Sequence, residues 1–200
     1  MGKMLVRQDL YKKAAESWGP TGKPGGLAIT LAGEEAKEIP LLRDFLSWDR
    51  SQVMFVDTDN TGLKVVQRKW EGAGTYHGML HEMLATSPPI GFLNMDFMGL
   101  FNDEVEAACA AARGKLLPGA IVAYTFIRCR DSPKNGVALR PRHAAKEILT
   151  RAQMRDKDLV RWVGYSVLLQ QKLGMKRVEP LVISAYQSTT PMGVIALKNG

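Results

Sequence analysis

Cysteine and histidine are scarce in this chain, with 2 and 3 copies among 200 residues. Neither Cys109 nor Cys129 has a CxxC neighbour. That excludes a zinc ribbon or a disulfide scaffold, and reduced thiols in a cytoplasmic protein are the expectation. His77 and His81 share the i, i+4 spacing of a zinc-protease helix, yet Gly78 follows the first histidine where a general-base Glu belongs. No metal is therefore expected. No apolar run approaches the ~20 residues that span a bilayer, so no membrane partner is expected either. The segment from Met1 to Asp9 has no apolar signal core, and Val6 stands where a myristoylation signal has Ser or Thr. Gly22-Lys23 is followed by Pro24, which rules out a P-loop. No Ser/His/Asp nucleophile arrangement and no internal repeat are visible.

What the chain does have is alternation. Hydrophobic residues make up 46% and charged residues 24%, the balance of an ordinary globular chain long enough for one α/β domain. Leu27–Leu31, Gln52–Val56, Thr75–His77, Ile90–Asp96 and Ala120–Phe126 read as strands, each followed by a helical stretch. The first of these helices carries Ile39, Leu42, Phe45 and Leu46 on one face, and the next runs from an N-cap at Asn60 to Trp70. Met79–Ala85 and Asp103–Lys115 follow, then a long helix from about His143 to Leu173, broken or bent near Arg155–Asp158. Ahead of the first strand, Leu5, Leu10, Ala14 and Trp18 mark an amphipathic helix, and the Gly/Pro-rich stretch to Gly26 is a linker. The organisation expected is an N-terminal helix and linker over 1–26 and a single domain over 27–200.

The alternation stops at the end. Val178–Tyr186 and Met192–Leu197 are strand-like runs separated only by Gln187-Ser-Thr-Thr-Pro191, which reads as an antiparallel hairpin. The fold class expected is α/β: a Rossmann-like three-layer sandwich whose mostly parallel sheet of about seven strands ends in a C-terminal antiparallel hairpin.

In open α/β sheets the ligand lies beyond the carboxyl ends of the strands, where strand order reverses. That selects the first turn (Ala32, Gly33, Glu34), the end of the second strand (Asp57, Thr58) and the end of the fourth (Asn94, Asp96, Phe97). Asp57 can accept both hydroxyls of a ribose, because a carboxylate offers two acceptor oxygens. Dinucleotide enzymes use the same logic, so an NAD-dependent oxidoreductase is one reading. Glu34 and Glu35 speak against it, since they would repel a pyrophosphate at a helix N-terminus.

Together, the terminal hairpin, Asp57-Thr58-Asp59 and Asn94-Met-Asp-Phe97 resemble the class I S-adenosylmethionine-dependent methyltransferases, over roughly residues 27 to 198. The segment Phe92 to Leu100 is also similar to a loosely characterised group of bacterial and phage methyltransferase-like proteins. The resemblance implies S-adenosylmethionine as cofactor. It places Ala32, Gly33, Glu34, Asp57 and Thr58 around it, with His77 and Met79 where the adenine ring rests. It implies that Asn94, Asp96 and Phe97 occupy the catalytic motif of amino-methylating enzymes, with Met95 and Asp96 in place of two prolines. The first turn departs from the family pattern by offering one glycine, Gly33, in place of several.

Charge is concentrated. Residues 128–177 hold 13 Lys or Arg against 4 Asp or Glu, a net of +9 within a chain whose total is +7. Such asymmetry points to a polyanion, and Arg128, Arg130, Lys134, Arg140 and Arg142 are the expected nucleic-acid contacts. A methyltransferase acting on nucleic acid is the first reading. A non-catalytic relative that binds nucleic acid or a partner protein stays open beside it.

Overall fold

The computed structural model describes residues 2–19, 22–127, 136–187 and 191–200, with the side chains at 98–99, 136–139 and 187 left aside. Seven strands form one sheet in the order β3-β2-β1-β4-β5-β7-β6. They are β1 (Leu27–Leu31), β2 (Val53–Asp57), β3 (Gly74–His77), β4 (Ile90–Gly99), β5 (Leu116–Ile127), β6 (Val178–Gln187) and β7 (Pro191–Asn199). β1 to β5 are mutually parallel along the order, and β7 inserts antiparallel to both β5 and β6. The expected mostly parallel, seven-stranded sheet with a C-terminal antiparallel hairpin is thus the one observed. Strand order reverses between β1 and β4, which makes the ends of those two strands the natural floor of a site.

Helices cover both faces: α1 (Lys3–Trp18), α2 (Glu38–Asp44), α3 (Asn60–Lys69), α4 (Leu80–Thr86), α5 (Asp103–Ala112), α6 (Gly136–Ala145) and α7 (Lys157–Leu173). Strand side chains alternate between faces. Ala28, Phe55, Phe92 and Ala123 therefore pack with α1, α2 and α3, while Ile29, Val56, Leu93 and Tyr124 pack with α4, α5 and α7.

Several expectations are corrected. The break in the long helix is wider than expected: α6 ends at Ala145, and Asp156 Oδ1, accepting from the backbone N–H groups of Asp158 and Leu159, both at 3.0 Å, starts α7 at Lys157. α6 and α7 then approach so closely that a Cβ at Gly164 would lie 2.0 Å from the Pro141 carbonyl oxygen. The N-cap of α3 is Asp59, one residue earlier than expected, accepting from Thr61 N at 3.0 Å and Thr61 Oγ1 at 2.9 Å. In α1 the buried stripe is Val6, Leu10, Tyr11, Ala14 and Trp18, whereas Leu5 is 59% exposed. Phe45, expected on one face with Ile39, Leu42 and Leu46, closes α2 at 38% exposure while the other three are buried. β4 runs three residues past Asp96, to Gly99, through an irregularity in its pairing with β5.

Candidate active-site cleft

Two cavities open side by side above the carboxyl ends of β1 and β4, and both are lined by Leu31, Gly33 and Asp96. The one on the β2 side has a volume of about 330 Å³, and Asp57, Thr58, Gly78, Leu80, Phe97 and Glu104 complete its wall. Asp57 ends β2, and its Oδ1 accepts the Asp59 N–H at 2.9 Å, which fixes the carboxylate at the strand tip. Gly33 holds a left-handed conformation at φ +58, and its carbonyl is packed against Gly62 in the first turns of α3. Three residues on, Ala36 adopts φ +47, a conformation that an L side chain rarely takes. The turn thus takes two left-handed conformations with a single glycine.

The expected cofactor residues are brought together only in part. Gly33, Asp57 and Thr58 line the 330 Å³ cavity, and Ala32 and Glu34 line its neighbour. His77 and Met79 line neither: His77 Nε2 sits 3.0 Å from the Thr58 carbonyl oxygen, and Gly78 and Leu80 hold the positions on the wall. Among the residues of the fourth strand, Asp96 and Phe97 reach the cleft. Asn94 does not. It is buried, with its Nδ2 donating to Thr30 Oγ1 at 3.2 Å and to Tyr11 Oη at 3.5 Å.

The neighbouring cavity, about 420 Å³, lies between the first turn and α1. Lys3 and Arg7 form its α1 wall, with Glu38 and Asp96 opposite. Arg7 joins both carboxylates, with Nε 3.1 Å from Glu38 Oε1 and Nη2 donating to Asp96 Oδ2, while Lys3 Nζ lies 3.3 Å from the same Asp96 oxygen. Burial raises the Glu38 pKa, and Arg7 holds it back. Burial and then the Glu38 charge push the Tyr11 hydroxyl well up, and burial followed by Asp96 moves Tyr186 up to about 12. Burial disfavours the Arg7 charge, but Glu38 and Asp96 outweigh it and raise its pKa. Sequence reasoning missed Arg7, Tyr11 and Glu38; the i, i+4 pair Lys3 and Arg7 beside the apolar stripe of α1 was the available signal.

The basic segment is divided. Arg128, Arg130, Lys134 and the strand-end Cys129 lie outside the described residues. Arg140 is engaged with α5, with Nη2 3.1 Å from Asp103 Oδ1 and Nη1 3.2 Å from Glu106 Oε1. Arg142 is half-buried on α6. Among the described residues no cluster of three His, Cys, Asp or Glu could hold a metal, and no helix is long and apolar enough to cross a membrane.

No protein-family model matches the sequence, and neither does any curated protein sequence. Solved structures do match in three dimensions. The plantazolicin methyltransferase BpumL, in complex with S-adenosylhomocysteine, aligns with a TM-score of 0.59 and 7% identity over 98% of this chain and 84% of its own. A Clostridium thermocellum protein provisionally assigned as an rRNA methylase aligns with a TM-score of 0.56 and 9% identity, covering 100% of this chain and 98% of its own. The N-methyltransferase NodS from Bradyrhizobium japonicum, also with S-adenosylhomocysteine, reaches a TM-score of 0.53 and 13% identity over 96% and 85%. With its 3-2-1-4-5-7-6 sheet and inserted last strand, the chain has the fold of the class I S-adenosylmethionine-dependent methyltransferases.

Proposed function

We propose that the protein is an S-adenosylmethionine-dependent methyltransferase and that the 330 Å³ cavity is its cofactor site. The observation that carries this reading is the charge of the wall: Asp57, Asp96 and Glu104 are carboxylates, and among the described residues no Lys or Arg lines the cavity. Such a wall suits a cation with a ribose, and S-adenosylmethionine carries a sulfonium and an ammonium. It opposes the pyrophosphate of NAD. Asp57 would accept the ribose hydroxyls, and Leu80 and Phe97 offer apolar surface to the adenine. When bound, the cofactor supplies an activated methyl group. The protein's part is then positioning and exclusion of water.

Asp57→Ala tests the site. Loss of a hydrogen bond to a charged group is worth about 1.5–3 kcal/mol, so S-adenosylhomocysteine should bind about 10- to 150-fold more weakly by calorimetry. Unchanged affinity in a folded variant removes Asp57 from the site. A wild type that binds neither S-adenosylmethionine nor S-adenosylhomocysteine turns the reading to a non-catalytic accessory protein, which the glycine-poor first turn favours.

The finer reading is a nucleic-acid acceptor, supported by the net +9 of residues 128–177. Of the two arginines described, Arg142 is the better candidate, because Arg140 is spent on Asp103 and Glu106. Arg142→Ala should flatten the salt dependence of duplex DNA binding by about 0.9, one phosphate contact, and Arg140→Ala should leave the slope nearly unchanged. Equal slopes in wild type and Arg142→Ala would contradict this.

A further inference from the structure

The turns between α6 and α7 differ from much of the surface in how their charges are used. Acidic partners hold Lys12 and Lys13 on α1, Lys37 and Arg43 at α2, and Arg161 and Lys172 on α7. Lys146, Arg151, Arg155 and Lys157 are exposed, and among the described residues none of them has an acidic partner. The two acids of the same stretch are turned to neighbours. Glu147 Oε2 accepts from Gln171 Nε2 at 3.4 Å, and Asp156 Oδ1 caps α7. The fold puts these free cations at the rim of the cleft. Trp162, in the second turn of α7, stacks its ring edge-on 5.3 Å from that of Phe126, near the carboxyl end of β5. At the other end of the helix, a Cβ on Gly174 would lie 2.8 Å from the Nε of Arg113, which precedes β5. α7 therefore starts at the edge of the sheet where the strands end. On the same edge Arg140 of α6 holds Asp103, whose neighbour Glu104 lines the cofactor cavity.

We propose that residues 146–157 form a docking surface for the phosphate backbone of a double-stranded nucleic acid. Cations without a partner meet phosphates without first giving up an ion pair, and the counterions that they release from the duplex drive binding. The stretch contains no Phe, Tyr or Trp. It therefore lacks the aromatic platform on which single-stranded bases stack, and phosphate contact is what it can offer. Ile148, at 64% exposure, is the one large apolar side chain exposed there among the described residues. A helix that lies on a membrane needs a continuous apolar face, which a lone isoleucine does not make. The inference rests on the nucleic-acid reading above and anchors the duplex on the turns that follow α6. It does not depend on methyl transfer, because phosphate contacts position a duplex without acting on a base. Duplex DNA and duplex RNA present the same phosphodiester chemistry to such a surface.

The test is fluorescence anisotropy of labelled, mixed-sequence duplex DNA and duplex RNA, titrated with the full chain over a range of salt concentrations. A matched single strand and vesicles of phosphatidylserine with phosphatidylcholine are the competing probes. Arg151→Ala combined with Arg155→Ala removes two cations from the surface. Lys12→Ala combined with Lys13→Ala removes two from exposed positions on α1 and controls for net charge. The wild type should bind a duplex more tightly than the single strand. The first double variant should flatten the slope of log K against log salt by about 1.8, two contacts at about 0.9 each, and weaken binding about tenfold or more at ~0.1 M salt. The α1 double variant should leave the slope nearly unchanged. The duplex that binds more tightly identifies DNA or RNA as the partner. Equal slopes in the wild type and the first double variant, or equal losses in both double variants, overturn the inference. Tighter binding of the single strand, or of vesicles without the duplex, overturns it too. Duplex binding that responds to Arg142→Ala but not to the first double variant keeps the nucleic-acid reading and removes this surface. Absence of nucleic-acid binding by the wild type removes both.

Discussion

On the face covered by α4, α5 and α7, the ring of Phe126 lies 4.1 Å from that of Tyr165, 5.3 Å from Trp162 and 5.8 Å from Tyr124. On the opposite face, under α1, β1 and β4 bury Thr30 and Asn94, and Arg7, Glu38 and Asp96 close the cleft beside them. One face is therefore an aromatic core, with even its lone described cysteine, Cys109, pushed up to about 12 by burial. The other accepts buried polar groups and leaves some of them unsatisfied. Apolar contact is non-directional and cumulative, so the first face can carry stability without fixing any one geometry. Buried charge is costly unless paired, so the α1 face is where the fold spends stability on polar groups.

The largest expected effect falls on the aromatic face. Phe126→Ala should destabilise the fold by about 3–5 kcal/mol in urea titration, while its folded fraction still binds S-adenosylhomocysteine. A loss of binding with little loss of stability would reverse the division of labour between the faces. Arg7→Met comes next, at about 3 kcal/mol, since it strands buried Glu38 and leaves Asp96 to Lys3 alone. If Arg7→Met is instead neutral or stabilising, the α1 face is not under the electrostatic tension described. Smaller still is Gly164→Ala, at about 1–2 kcal/mol, because a Cβ there meets the Pro141 backbone and must push α6 from α7. A neutral Gly164→Ala would mean that this close approach can relax, and the contrast in packing would weaken.

Much of the frame was legible in the chain. The β1 to β5 alternation and the terminal hairpin follow from period and turn chemistry, which act over a few residues. Asp57 and Gly33 were legible for the same reason, since a strand end and its turn are local features. The break before α7 was legible near Arg155–Asp158, but its width was not: α6 already ends at Ala145, and the chain reaches the Asp156 cap through turns and a short 3-10 helix, Gln153–Arg155. Asn94 was read at a strand end, but β4 continues to Gly99 and leaves it beneath α1. The Arg7–Glu38–Asp96 cluster was hidden most deeply. Arg7 and Asp96 are separated by 89 positions, and no local spacing foretells a contact made by docking α1 on the sheet.

The most direct measurement is a calorimetric titration of the wild-type protein with S-adenosylhomocysteine, with NAD run alongside. A carboxylate-lined cavity over the ends of β1, β2 and β4 predicts saturable S-adenosylhomocysteine binding and no NAD binding under the same conditions. Saturable NAD binding, or no heat from S-adenosylhomocysteine at millimolar concentration, would contradict it.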